Sequence, residues 1–72
     1  MTRLPVVSGK KLLKALIRLG YYIRDQKGSH VHLRHPDRRP LTIPMHDELD
    51  RGTLKGILKD AEISIEELLD VI

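Results

Sequence analysis

The sequence predicts an α+β fold in which a three-stranded antiparallel sheet packs against two helices, with a short extra helix at the C-terminus. Three observations lead to this prediction. The first segment has apolar residues at helical spacing, the middle has three short β-prone stretches separated by turns, and the last third returns to helical spacing. A chain of 72 residues is expected to form one domain, residues 1–72, with a thin core.

The first helix is predicted over residues 9–19. Ser8 can cap it, because its hydroxyl can accept an early backbone N–H. Leu12 and Leu16 begin an apolar stripe at i, i+4 and i+7, while lysines and an arginine cover the other side. Gly20 follows the helix, at a position where a positive φ is tolerated. The pattern therefore gives the helix both a start and an end.

Three strands are predicted over residues 21–24, 29–35 and 41–43, joined by turns at 25–28 and 36–39. Alternation in the second strand divides its side chains between two faces. One face packs on the helices and carries Val31, Leu33, Leu41 and Ile43. The other face lies in solvent, because the chain has no further element to cover it, and carries His30, His32 and Arg34, with Arg24 and Thr42 expected to join from the neighbouring strands.

A second helix is predicted over residues 51–61, from the apolar spacing of that segment. Ser64 and Glu67 then have the spacing of a capping box, which starts a last helix ending near Leu69. The complete order is α-β-β-β-α, with the short helix added.

Charge is distributed unevenly along the chain. Residues 1–46 carry ten Lys or Arg against two acids, whereas residues 47–72 carry three bases against eight acids; the whole chain has a net charge of +3. A basic first part predicts a focused face for a polyanion. Lys10 and Lys14, on the polar side of the first helix, are candidates for phosphate contacts. The alternative is that these charges simply solvate the helix.

Composition excludes several classes of function. With two Tyr and neither Phe nor Trp, the chain lacks the aromatic residues of a sheet that stacks single-stranded bases. It has no cysteine, no apolar run long enough to span a membrane and no apolar signal segment at the N-terminus. We therefore expect a cytoplasmic protein without disulfides, without a cofactor and without a membrane partner.

The histidines are the candidate chemical groups. His30 and His32 lie two apart on a strand and share the open face, and imidazole can take and give protons near neutral pH. RNA supplies its own nucleophile, the ribose 2′-OH, so a histidine with cations beside the phosphate suffices for cleavage to a 2′,3′-cyclic phosphate. Two alternatives stay open: an exposed histidine without a role, and a zinc site. The possible zinc ligands are His30, His32, His35 and His46. His35 is otherwise expected to be a turn residue, and His46 a structural or supporting one.

Residues 20–30, which end in Gly28-Ser29-His30, resemble the opening of HicA-type toxins, the mRNA interferases of HicA/HicB toxin–antitoxin systems. Residues 41–46 and 52–59 resemble later parts of the same family. The resemblance implies a double-stranded-RNA-binding-domain-like fold, cleavage of mRNA without a metal, and a HicB-like antitoxin in a hetero-oligomer. It also implies that His30 is catalytic, and it adds His46 as a further candidate without an assigned role.

The resemblance and the open-face pattern together define the expected site. We expect His30 to act on RNA that is bound by Lys27, Gly28, Ser29, His32, Arg34, Arg24, Lys10 and Lys14. The alternatives are a non-catalytic RNA-binding module of the same fold and a protein-interaction domain. The sequence departs from many relatives at Glu62, where they have a glycine after the second helix, which puts the geometry of that helix end in doubt.

Overall fold

The computed structural model describes residues 3–72; Met1 and Thr2, which the predicted domain includes, lie outside the described residues. The elements are α1 (Gly9–Arg18), β1 (Tyr22–Lys27), β2 (His30–Arg34), β3 (Leu41–Pro44), α2 (Arg51–Ala61) and α3 (Ile65–Val71). This order confirms the predicted α-β-β-β-α arrangement with a short additional helix. None of the helices within residues 3–72 has both the length and the apolar character needed to cross a bilayer.

The sheet has the strand order β1-β2-β3, and both neighbouring pairs are antiparallel. Its covered face carries Val31, Leu33, Leu41 and Ile43, all of them 5% exposed or less. These side chains form one core with the buried leucines of the helices, such as Leu12, Leu16 and Leu54. The predicted division of the sheet into a covered and an open face is therefore confirmed.

Helix α1 begins and ends through the residues that the sequence indicated. The Ser8 hydroxyl accepts the backbone N–H of Lys11 at 3.0 Å. The helix ends at Arg18, one residue earlier than predicted, and Gly20 follows with a φ of +101°. A Cβ atom on Gly20 would lie 2.8 Å from Nε2 of His35. Glycine is therefore required here both by the backbone conformation and by the ring beside it.

The predicted turn at residues 25–28 is wrong. Strand β1 continues through Asp25, Gln26 and Lys27, and only Gly28 and Ser29 form the turn to β2. Gly28 has a φ of +58°, as the first position of a two-residue II′ hairpin turn requires. The sequence prediction failed because it counted the polar residues before Gly28 as turn residues, although a Gly-Ser pair alone is sufficient to close a hairpin.

Strand β1 also contains a bulge that alternation could not show. The pairing with β2 shifts between Ile23 and Asp25, which leaves Arg24 as the extra residue. Smaller differences concern the strand ends: β2 is one residue shorter than predicted at each end, and β3 extends to Pro44. The bulge changes which side chain of β1 faces His32.

The two C-terminal helices are capped by local side chains. Asp50 accepts the backbone N–H of Thr53 at 2.6 Å, and this hydrogen bond is the main reason why the pKa of Asp50 is lowered. The capping box of Ser64 and Glu67 is confirmed, with both of its hydrogen bonds formed. Glu62 has a φ of +57°, so it takes the left-handed conformation that a glycine would adopt without strain.

Candidate functional site

The open face consists of three rows of side chains that run across the strands. Residues paired in an antiparallel ladder point to the same side of the sheet. The first row contains Lys27, His30 and Pro44; the second contains Asp25, His32 and Thr42; the third contains Tyr22 and Arg34. His30, Arg34, Lys27 and Thr42 are exposed, and His32 and Asp25 are half-buried.

His30 combines a fixed backbone with an unengaged ring. It is the first residue after the Gly28-Ser29 turn, and the carbonyl of Ser29 accepts the backbone N–H of Met45 at 2.7 Å. The turn is thereby tied to the chain beyond β3. No hydrogen bond joins the His30 ring to another residue within the described range 3–72. Both ring nitrogens are consequently free to meet a ligand.

His32 has a partner that the sequence analysis missed. Its Nδ1 lies 2.5 Å from Oδ1 of Asp25, directly across the ladder. The hydrogen bond from His32 is the largest cause of the lowered pKa of Asp25, and the positive charges of Arg24 and Lys27 add to it. Because an ionised carboxylate only accepts hydrogen bonds, the ring carries a proton on Nδ1. The Asp25–His32 pair is thus an oriented dyad on the open face.

Arg24 is the bulge residue of β1. It was expected to join the row of open-face residues from the neighbouring strand, and the β1 residue that is paired with His32 is Asp25. Its Nε lies 3.9 Å from Oδ2 of Asp25, and its side chain is exposed. Arg34 stands at the other end of the row of β2 residues, paired with Tyr22. Cations therefore flank the two histidines, with Lys27 on one side and Arg34 on the other.

His35 serves the packing of the chain. Its Nε2 donates to the carbonyl of Leu19 at 3.2 Å, and its Nδ1 accepts the backbone N–H of Asp37 at 3.0 Å. The ring also meets Tyr21 edge to face, with 4.8 Å between the ring centroids. Both nitrogens are occupied in one neutral tautomer, so His35 joins the end of α1 to the β2–β3 turn. This agrees with its expected role in the turn.

His46 lies in the connector between β3 and α2, outside the sheet. Its carbonyl accepts the backbone N–H of Gly9 at 2.9 Å, which brings the start of α1 to this corner. Its side chain is exposed. The backbone N–H of Met45, the residue before His46, donates to the carbonyl of Ser29, the residue before His30. The backbone segments that carry the two histidines are therefore neighbours.

The four histidines considered as zinc ligands do not form a metal site within the described residues. Within residues 3–72, no three side chains of His, Cys, Asp or Glu are grouped so that they can hold a metal ion. His35 is bound in the packing described above.

The two helix lysines are separated from the open face. Lys10 and Lys14 are exposed on α1, which belongs to the layer on the covered side of the sheet. Lys10 follows Gly9 and thus starts at the corner occupied by His46, whereas Lys14 lies about one helical turn further away. The structure does not bring Lys14 together with His30.

Two depressions of the described surface lie away from the open face. Cavities of about 500 and 460 Å³ are found on the helical side, one lined by residues such as Leu4, Asp50 and Arg51, the other by Leu4, Leu58 and Ile63. Neither contains a residue of the open face. The candidate site is a shallow charged surface, which suits an extended polyanionic ligand better than a small molecule in a pocket.

Comparison with known proteins identifies the family. A family model described as "HicA toxin of bacterial toxin-antitoxin" matches residues 9–63. A chain in a solved structure described as a toxin–antitoxin complex from Streptococcus pneumoniae is 36% identical, with a TM-score of 0.69; the alignment covers 79% of this chain and 98% of that chain. No curated protein matches the sequence. The family model and the solved relative agree, and the chain belongs to the HicA toxin family of toxin–antitoxin systems.

Proposed function

We propose that this HicA-family protein is an endoribonuclease toxin, an mRNA interferase that cleaves RNA by histidine acid–base catalysis without a metal ion. The observation that carries the proposal is His30, an exposed imidazole whose nitrogens form no hydrogen bond within residues 3–72, on a sheet face that also presents Lys27 and Arg34. A face that only binds RNA needs cations, whereas proton transfer needs a group such as imidazole.

The chemistry uses the nucleophile that RNA carries. His30 removes the proton of a ribose 2′-OH, and the 2′-oxygen attacks the adjacent phosphorus. Lys27, Arg24 and Arg34 stabilise the additional negative charge on the phosphoryl oxygens in the transition state. Gly28 supports close approach of the phosphodiester, since no atom lies within 4 Å of the position that its Cβ would occupy. Ser29 and His32 complete the proposed contacts beside the turn.

The proposed protein partner is a HicB-like antitoxin that covers the open face in a hetero-oligomer. Support comes from the family and from the solved relative, which is described as a toxin–antitoxin complex. Lys27 and Arg34 on the open face form no ion pair within residues 3–72, and an acidic partner surface would match their charge. Induced expression of the intact protein is expected to stop growth, and co-expression of the antitoxin is expected to restore it. Normal growth under strong expression would contradict the toxin role.

Cleavage tests the enzymatic proposal directly. Purified protein is incubated with single-stranded RNA in EDTA and compared with His30→Ala. We expect the wild type to produce fragments with 2′,3′-cyclic phosphate ends, and the variant to lose this activity while it still binds RNA. Cleavage by His30→Ala would remove His30 from the mechanism. Binding without cleavage by the wild type would instead identify a non-catalytic RNA-binding module.

RNA binding by a lysine of α1 can be tested against a matched lysine of α2. Lys14 is proposed to contact phosphate and Lys59 is not, although both are exposed helical lysines. RNA affinity is expected to fall with added salt, and the salt slope to decrease in Lys14→Ala but not in Lys59→Ala. Equal effects of the two substitutions would show that helix charge acts only through the net charge of the protein.

A further inference from the structure

The Asp25–His32 dyad has an orientation that the single-histidine mechanism does not use. Its ring proton on Nδ1 points to the Asp25 carboxylate at 2.5 Å, so Nε2 remains as the working nitrogen. No other hydrogen bond engages the His32 ring within the described residues. A carboxylate on Nδ1 fixes both the tautomer and the direction of an imidazole, and it stabilises the imidazolium when the ring takes a second proton.

The spacing of the two histidines suits one phosphodiester. His30 and His32 lie on the same face of β2, so their Cα atoms are about 6.8 Å apart. Each ring can place a nitrogen about 2.8 Å from a different oxygen of a phosphate group that lies between them. The attacking and leaving oxygens of an in-line displacement are on opposite sides of the phosphorus, so two separate proton-transfer groups are required.

The neighbours across the ladder differentiate the two rings. His30 is paired with Lys27, and His32 is paired with Asp25. The Asp25 carboxylate accepts the proton on Nδ1 of His32 and so holds that ring in one orientation with Nε2 outward, whereas no hydrogen bond within residues 3–72 holds the His30 ring. On β3 the two histidines are paired with Pro44 and Thr42, which carry no charge.

We propose that His32 is the general acid of the cleavage reaction and that Asp25 is the residue that positions it. This inference rests on the proposed function, and it assigns the second proton transfer. His30 takes the proton of the 2′-OH, a bond forms between the 2′-oxygen and phosphorus, and the bond from phosphorus to the 5′-oxygen breaks. The departing 5′-oxygen receives the proton from Nε2 of His32. The products are a 2′,3′-cyclic phosphate and a 5′-hydroxyl end, with one proton moved from His32 to His30 through the reaction.

A change of leaving group tests this assignment. After the linkage cleaved by the wild type has been mapped, its 5′-oxygen is replaced by sulfur, because a thiolate leaves without protonation and makes a general acid unnecessary. His32→Gln is expected to slow cleavage of the normal RNA by about 10² or more, and to slow cleavage of the sulfur substrate far less. His30→Gln is expected to slow both, since the 2′-OH still needs a base. Activity of His32→Gln on the sulfur substrate also shows that the variant is folded.

Asp25 is tested by the same pair of substrates. Asp25→Asn is expected to show the selective loss on the normal RNA in a milder form, and Asp25→Glu to restore part of it, because a carboxylate can again accept from Nδ1. Asp60→Asn removes the same charge from the exposed surface of α2 and is expected to leave both rates unchanged. A loss that is equal on both substrates would show that Asp25 acts only on structure or binding, and would contradict its positioning role.

The possible outcomes separate the two proposals. If the wild type cleaves no RNA, the proposed function fails. If His30 is essential but His32→Gln slows both substrates equally, or neither, the endoribonuclease stands and the assignment of His32 is overturned. A selective rescue by sulfur in His46→Gln instead of His32→Gln would also overturn it, and would place the general acid in the β3–α2 connector.

Discussion

On the covered face of β2, Val31 and Leu33 are at most 1% exposed, whereas on the open face of the same strand His30 and Arg34 are exposed. Each covered side chain is held by contacts from several elements, and its volume is fixed by close packing. On the open face, His32 is held by its hydrogen bond to Asp25, Asp25 also lies near Arg24, and no hydrogen bond within residues 3–72 holds the His30 ring. Substitutions on the covered face should therefore change stability, and those on the open face should change chemistry.

The largest expected effect comes from removing a covered side chain. Leu33 is fully buried, so Leu33→Ala is expected to lower the free energy of unfolding by about 3 kcal/mol, through lost burial and the cavity left behind. Thr42, exposed on the open face of the neighbouring strand, is the control: Thr42→Ala should change stability by less than about 0.5 kcal/mol. Urea unfolding measures both. Similar losses of unfolding free energy in the two variants would contradict the expected difference between the faces.

A second prediction tests whether the atoms around a helical glycine, rather than its position in a helix, decide the effect of adding a Cβ on stability. A Cβ on Gly9 would lie 2.1 Å from the carbonyl oxygen of Pro44, whereas nothing lies within 4 Å of a Cβ on Gly56. Gly9→Ala is expected to destabilise by about 1–2 kcal/mol through this clash. Gly56→Ala, also in a helix, is expected to stabilise by up to about 1 kcal/mol. Thermal unfolding should therefore show shifts of opposite sign, and shifts of the same sign would refute the clash.

A third prediction concerns backbone strain at the end of α2. Glu62 ends α2 in the left-handed conformation, with a φ of +57°. Glu62→Gly is expected to stabilise the protein by about 0.5–1 kcal/mol, because glycine adopts this conformation without strain. Glu62→Ala removes the same charge but keeps the Cβ, so it should give no comparable gain. A gain of equal size in both variants would attribute the effect to charge.

The smallest expected effect on stability is that of Asp25 on the open face. Its pKa is lowered in the folded protein, first by the hydrogen bond from His32. The ionised group therefore contributes stability above its ordinary pKa, and this contribution is lost as the pH falls through that value towards the lower, folded one. The stability difference between the wild type and Asp25→Asn should shrink when the pH is lowered from about 6 to about 3. A difference that grows on acidification would contradict the direction of the shift.

Most of the fold follows from the sequence, because helical spacing and capping residues act locally. The bounds of α2 and the capping box of α3 are examples. The open face with His30 and His32 was also predicted, because alternation within β2 is regular. The partner of His32 was not, because it depends on the pairing between strands. Had Gly28-Ser29 been interpreted as the complete turn, counting back from it would have paired Asp25 with His32.

The register between β1 and β2 also depends on the position of the bulge, which local sequence patterns do not reveal. The bulge at Arg24 cannot be inferred from the composition of β1, since the segment 22–27 contains both apolar and charged residues without a clear alternation. The catalytic role of His30, which the proposed cleavage assays test, and the RNA contacts of Lys27, Ser29 and Arg34 remain predictions. The hairpin explains why Lys27, Ser29 and His30 lie near one another, but their chemistry depends on a substrate.

The bulge at Arg24 has a consequence for comparing homologues. Tyr22 and Asp25 are three positions apart, yet both pair with open-face residues of β2, whereas a regular strand would require an even separation. A homologue that lacks the extra residue can keep Asp25 opposite His32 while its alignment to Tyr22 and Ile23 moves by one position. A gap placed within this strand therefore records a change of geometry, and a search for related dyads should count residues from the Gly28-Ser29 turn backwards.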